Sequence, residues 1–328
     1  MKEQRGVALV TVMLVVSLVT VICTGLIVRQ QLAIRASGNQ LTGQQARQYA
    51  LGGEALGMAV LARDFKAPGS DPQNPVDHPL EAWAKPLPAF PIEQGELIVR
   101  IEDLAGRFNL NSLLQAGKPN QLALERFRRL LVRLELQPYY AERLLDWLDE
   151  DQQPTGEYGA EDNQYLLAQP PYRTAGHALQ DASELRLLLG MTEDEYRRLR
   201  PYIAALPADV PLNVNTASPV LLSSLADALD ETAANALVAG RGKEGYRDVR
   251  SFLDQPAMGG TGVREAGLAV SSQYFRIHTD VRLDERRETL SSTLLRDREG
   301  KVWVVRRSIG LPGYERALPP PEDEQEEE

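Results

Sequence analysis

The sequence predicts an α+β protein: a long N-terminal helix, an antiparallel sheet, and a large all-helical block that interrupts the sheet. Three observations predict it. An uncharged run of 22 residues, Val7 to Val28, leads into a polar stretch with apolar residues at helical spacing. Period-two alternation appears around Glu96 to Glu102 and returns after Tyr274. Between these strands, Asn120 to Leu253 carries a helical period.

The N-terminal helix comes first. Met1 to Gly6 contains Lys2 and Arg5 against one Glu3, and the Val- and Leu-rich run that follows is long enough to span a bilayer. Basic residues ahead of such a run keep the short leader cytoplasmic and send the rest of the chain across the membrane. A cleaved secretory signal is the alternative. Its apolar region is about 7–15 residues with a small-residue cleavage site behind it, whereas this run ends in Arg29, Gln30 and Gln31. Past Val28, Leu32, Tyr49, Leu56, Val60 and Leu61 continue the helical spacing, which extends the helix by about nine turns as a stalk. Gly38, Gly43, Gly52, Gly53 and Gly57 weaken that stalk; they read either as local flexibility or as close approach of neighbouring helices in an assembly.

The remaining elements follow in order. Pro68 to Pro91 is proline-rich and reads as an irregular connection. Leu97, Val99 and Ile101 mark a half-buried strand. In the helical block, Phe127, Leu130, Leu131 and Leu134 share a face before Pro138 interrupts. Asp181 with Glu184 and Thr192 with Glu195 have capping-box spacing, and Ser218 with Pro219 supplies an N-cap and a first-turn proline. Strand pattern resumes at Tyr274 to Leu283, Glu288 to Leu295 and Lys301 to Ile309, the last two joined across Asp297 to Gly300. Pro319 to Glu328 is proline and acid, a composition that does not fold.

Composition limits the functions available. The chain of 328 residues, 43% hydrophobic and 25% charged, can bury one large core or two modest ones. Its net charge of −10 repels phosphate backbones. Cys23 is the single cysteine, which excludes a disulfide framework and a cysteine-based zinc site.

One constellation carries chemistry. The helix holding Leu144, Leu145 and Leu148 ends in Asp146, Asp149, Glu150 and Asp151, where the helix dipole is already negative, and Glu161 and Asp162 follow in a loop with Gly156 and Gly159. Several carboxylates can converge there on one hard cation such as Ca²⁺, which takes 6–8 oxygens. No EF-hand loop is present, so a solvated acidic helix end is the other reading.

Two rival functions arise from other residues. Asn213 to Ser218 with the helices that follow resembles the helix-hairpin-helix modules of DNA-uptake proteins in a type IV pilus. The hairpin of such a module offers backbone amides to phosphate, but here Leu225 to Thr232 lacks glycine and holds Asp227, Asp230 and Glu231. From Asn213 to Leu253 there are four Lys or Arg against five Asp or Glu, so nucleic acid is disfavoured. A hydrolase using paired carboxylates is the second rival. His78, His177 and His278 are far apart in sequence and none adjoins a nucleophile, so no triad is indicated. Arg107, Tyr172 and Arg173 read as hydrogen-bonding residues that dock the helical block on the sheet.

A basic leader ending in Gly6, followed at once by an apolar helix, is similar to the leaders of type IV pilins and type II secretion pseudopilins. Further blocks resemble the minor pseudopilin K family: Ile101 to Asn111, Trp147 to Asp151 with Pro154, Gly159 to Asp162, Pro170 to Arg173, and Ser183 to Arg186. The resemblance implies a pilin-like fold divided into a cleaved leader (1–6), a transmembrane helix (7–28), a pseudopilin domain (29–108 and 265–311), an inserted helical domain (109–264) and an acidic tail (312–328). It implies cleavage between Gly6 and Val7 by a prepilin peptidase, methylation of Val7, and no catalytic activity. It implies a structural Ca²⁺ held by Asp149, Asp151, Glu161 and Asp162, with Asp146 and Glu150 as secondary candidates. The expected location is the inner membrane, single-pass, with the bulk periplasmic. The expected partners are other minor pseudopilins of the I, J and H types and the inner-membrane assembly platform, with room for contact with secreted proteins. Thr11 departs from the pattern of type IV pilins and type II secretion pseudopilins, whose fifth mature residue is usually Glu; that departure implies a subunit capping the pseudopilus tip, with nothing above it.

Overall fold

The computed structural model describes residues 4–67 and 71–310, with residues 4–7 defined by their backbone alone. Half of the predicted leader, residues 1–3, and the whole acidic tail thus fall outside the described residues.

Helix α1 (Gln4–Asp64) runs unbroken for 61 residues, about 90 Å at 1.5 Å per residue. Every residue from Ala8 to Leu41 is exposed. This is a helix long and apolar enough to cross a membrane, and its apolar window touches nothing else in the chain. Burial begins at Ala46, where the helix lies down on a five-stranded antiparallel sheet.

The sheet is a meander of β1 (Phe90–Ile92), β2 (Gly95–Asp103), β3 (Tyr274–Leu283), β4 (Arg286–Arg296) and β5 (Val302–Ile309), each strand beside the next. Alternation sets which face is covered: Leu97 and Val99 of β2, then Phe275, Ile277 and Val281 of β3, are buried in a cluster with Ala46, Ala50 and Leu61 of α1. A bulge at Thr293/Leu294 shifts the β4–β5 register.

The stalk glycines acquire a role that spacing did not reveal. A Cβ on Gly57 would stand 2.4 Å from Ile277 Cδ1, and one on Gly53 would stand 2.6 Å from Thr279 Cγ2. These two residues let α1 settle into its own sheet, so neither of the expected readings holds for them. Gly38 and Gly52 face open space. Beside them Glu54, 4% exposed, takes the Arg307 guanidinium through two contacts of 2.8 Å and the Ser292 hydroxyl, tying α1 to β5 and β4.

The insertion falls between β2 and β3 and has its own core. It contains α2 (Gln121–Arg133), α3 (Tyr140–Leu148), α4 (Asp162–Tyr165), α5 (Glu193–Leu199), α6 (Pro219–Ser223), α7 (Glu231–Gly240) and α8 (Val249–Leu253). Phe108 stacks on Phe127 at 5.1 Å, and Leu130, Leu131, Leu144 and Phe252 are fully buried. The capping boxes at Thr192 and Asp181 form, though the Asp181 box starts a 3₁₀ helix (Ala182–Leu187). Ser218 caps α6 with Pro219 in its first turn.

Docking of the insertion uses residues other than those expected. The Tyr172 hydroxyl donates to the Leu187 carbonyl and Arg173 pairs with Asp162, both within the insertion, while Arg107 pairs with Glu102 of β2. The joint is made by Asn213 and Thr216 reaching Asp103 of β2, and by Arg306 of β5 reaching Asp181. These contacts join residues more than 100 positions apart, which no local spacing reports.

Candidate metal centre and family

The acidic constellation lies where α3 ends. Asp146 occupies its last turn, on the side of the helix away from Leu144 and Leu148, and is wholly buried beneath the loop that carries Thr155 and Gly159. The Thr155 amide donates to both Asp146 oxygens at 3.0 and 3.1 Å. Gly159 is needed here: a Cβ would stand 2.3 Å from Asp146 Oδ2, so only glycine lets the loop pass this close to the carboxylate. Asp149 follows as the C-cap of α3, and Glu161 is the N-cap of α4, its amide donating to Gln164 Oε1 at 3.0 Å.

Asp146, Asp149 and Glu161 bring carboxylate oxygens within 4.8 Å of one another. Asp149 Oδ1 and Glu161 Oε1 are buried and have no hydrogen-bond partner, a condition that costs free energy unless a cation is present. Burial pushes the Glu161 carboxyl up to about 8, with the charges of Asp146, Asp149 and Asp151 adding to it. Asp149 is pushed up to about 6 by burial and by Asp151 and Asp146. Burial also raises Asp146, against the Thr155 hydrogen bonds. Hard oxygen donors, two orphaned and all short of positive charge, suit a divalent cation of the calcium type.

The sequence-predicted ligands divide. Asp149 and Glu161 are in the convergent group, and Asp146 joins them as a full member. Asp151 is exposed at its rim, where Oδ1 accepts from the Gln153 amide at 2.8 Å. Asp162 is turned to other work: Oδ1 accepts from the Thr174 amide and hydroxyl, each at 3.1 Å, and Oδ2 faces Arg173 at 3.3 Å. Glu150 is exposed. The signal for Asp146 was its i, i+3 spacing to Asp149 on the helix.

A second acidic group, Asp64, Asp77 and Glu81, also brings oxygens within 4.8 Å of one another. Asp77 there is paired with Arg296 at 2.5 Å, so the group already holds a cation of its own.

The region with helix-hairpin-helix likeness is occupied internally. Arg241 directs its guanidinium inward to the Val214 and Ala217 carbonyls, Asp227 pairs with Arg129 at 3.0 Å, and Asp230 caps α7.

The architecture is that of a membrane-length apolar helix feeding an antiparallel sheet, with a separate helical body let in between two of its strands. Family models described as type II secretion system protein K match residues 106–208 and 212–271. Type II secretion system protein K of Pseudomonas aeruginosa is 48% identical over 317 residues, spanning 95% of both chains. That of Klebsiella pneumoniae is 36% identical, spanning 94% of this chain and 97% of its own. A chain in the crystal structure of the GspK–GspI–GspJ complex from enterotoxigenic Escherichia coli superposes with a TM-score of 0.74 at 30% identity, covering 84% of this chain and 99% of that one. The chain belongs to the type II secretion system protein K family. The family is a structural component of the secretion apparatus.

Proposed function

We propose that this subunit caps the tip of the type II secretion pseudopilus and helps initiate its assembly for export of folded proteins, in complex with other minor pseudopilins of the I, J and H types. The observation that carries the reading is the insertion between β2 and β3: a second body with its own core beside the sheet. Repeated along a tightly packed filament, such a body would collide with its copies; at the end of one, it has room. Thr11 supports the same position. A glutamate there needs a charged partner from a subunit above, and an unpaired charge inside the membrane costs at least about 2.5–3.5 kcal/mol. Similarity to a chain of the GspK–GspI–GspJ complex supports the choice of partners.

Under the same reading a prepilin peptidase cleaves after Gly6 and Val7 is methylated. The exposed segment of α1 anchors the chain in the inner membrane with its folded body in the periplasm, where it meets the assembly platform. Ca²⁺ bound by Asp146, Asp149 and Glu161, with Asp151 at the rim, would neutralise the carboxylates and fix the α3–α4 loop. Its role is structural, since Asp146 and Glu161 are 0% and 1% exposed and out of reach of a substrate. Labelling assembled pseudopili for this subunit tests the cap: signal is expected at one end, and regular signal along the shaft overturns it.

A further inference from the structure

A buried carboxylate without a cation stands where the insertion meets the sheet. Asp103 closes β2 at 8% exposure. It accepts from the Ala105 amide at 2.8 Å, the Ser272 hydroxyl at 2.6 Å, the Asn213 side-chain amide at 3.2 Å and the Thr216 hydroxyl. Each donor is neutral. Asn213 and Thr216 come from the insertion and Ser272 from the segment leading back to β3, so three parts of the chain meet on this one group.

The charged groups around it are otherwise engaged. Asp77, from the connection after α1, accepts from the Ser272 amide at 2.7 Å and takes Arg296 of β4 through both oxygens at 2.5 and 2.7 Å. Glu102, adjacent on β2, pairs with Arg107 and contacts His278 of β3 at 3.3 Å. Asp64 of α1 and Glu81 crowd Asp77 from the side of a cleft that also includes His78, Glu244 and Arg247. Among the described residues an ionised Asp103 is therefore held by neutral donors alone, with Asp77 the like charge nearby and the only neighbouring guanidinium taken by Asp77, an arrangement that disfavours the charged form.

We propose that docking of the insertion on the sheet is coupled to proton uptake by Asp103. The hydroxyls of Ser272 and Thr216 can turn from donor to acceptor, so the protonated acid keeps hydrogen bonds in place. Burial raises Asp103 to about 6 from 3.8, with Asp77 adding to the rise and the hydroxyl donors opposing it. Because the docked value lies above the open one, the contribution is full below about pH 4 and is lost as pH rises through about 6. The two-unit difference amounts to roughly a hundredfold in the docking equilibrium across that window.

The experiment is thermal unfolding of the full chain in detergent from pH 4.5 to 7.5, wild type against Asp103→Asn, with cleavage inside residues 264–273 by a protease active across the range as the readout of docking. Glu81 is pushed up to about 7, chiefly by burial, and titrates close by, so Glu81→Gln is run in parallel. The expected result is a wild type that loses stability relative to Asp103→Asn as pH rises from 5 to 7.5, and that is cut faster at the upper pH. Glu81→Gln should keep the wild-type dependence on Asp103. A difference between wild type and Asp103→Asn that stays constant with pH overturns the proposal. If Asp103→Asn does not fold, Thr216→Val removes a donor to the carboxylate and should move the wild-type transition to higher pH; a uniform offset there overturns it equally.

Discussion

Glu161→Gln separates a cation site from an ordinary acidic helix end. In the cation-free protein Glu161 titrates at about 8 in place of 4.5, so its contribution to stability is full below about pH 4.5 and lost as pH rises through about 8. Removing its charge therefore relieves the cluster, and without Ca²⁺ at pH 8 the variant should melt at or above the wild-type temperature. Ca²⁺ should reverse the order. At one hundred times the dissociation constant a ligand that binds only the folded state adds about 2.7 kcal/mol, which for a body of this size is roughly 5–10 °C in melting temperature. Wild type should show that rise and Glu161→Gln only a small part of it. The rise should be smaller at pH 6 than at pH 8.5, because the ion must then displace the proton on Glu161. Differential scanning fluorimetry with Ca²⁺ or chelator at both pH values provides the measurement. A wild-type melting curve indifferent to Ca²⁺ and chelator would refute the reasoning and return the cluster to a solvated helix end.

Two further outcomes are expected. Gly6→Val should leave the full-length form in the membrane fraction, while the wild-type chain, read by mass spectrometry, begins at a methylated Val7; any other mature terminus defeats the leader reading. Gly57→Leu should destabilise the folded body by about 1–3 kcal/mol through overpacking against Ile277, as measured by denaturant unfolding, and a neutral result would show that α1 can shift off β3.

Much of the architecture was legible because it rests on local patterns. The uncharged run marked α1, alternation marked β2 to β5, and Thr192 with Glu195 marked the start of α5. The acidic cluster was partly legible: charge alone drew attention to Asp149 and Glu161, but whether a carboxylate faces inward is decided by tertiary packing, which brings Asp146 into the convergent group and turns Asp162 toward Thr174 and Arg173. Gly53 and Gly57 announced a close approach without saying to what; a glycine at a helix surface reads the same whether the neighbour is another subunit or the chain's own sheet. The joint of Asp103 with Asn213 and Thr216 had no sequence signal, since a polar residue waiting for a distant partner looks like any other.

The seating of α1 has a mechanical consequence. Some 34 residues of exposed helix from Ala8 to Leu41, about 50 Å, project from the body without touching it. Thrust from below along that rod enters the body through a short grip from Ala46 to Leu61. Within it, Ile277 and Thr279 fill the notches at Gly57 and Gly53, while the Glu54–Arg307 bond crosses to the edge strand. Notches resist sliding along the helix axis and the ion pair resists rotation about it, so a push along the rod is passed to the sheet through α1 without slip.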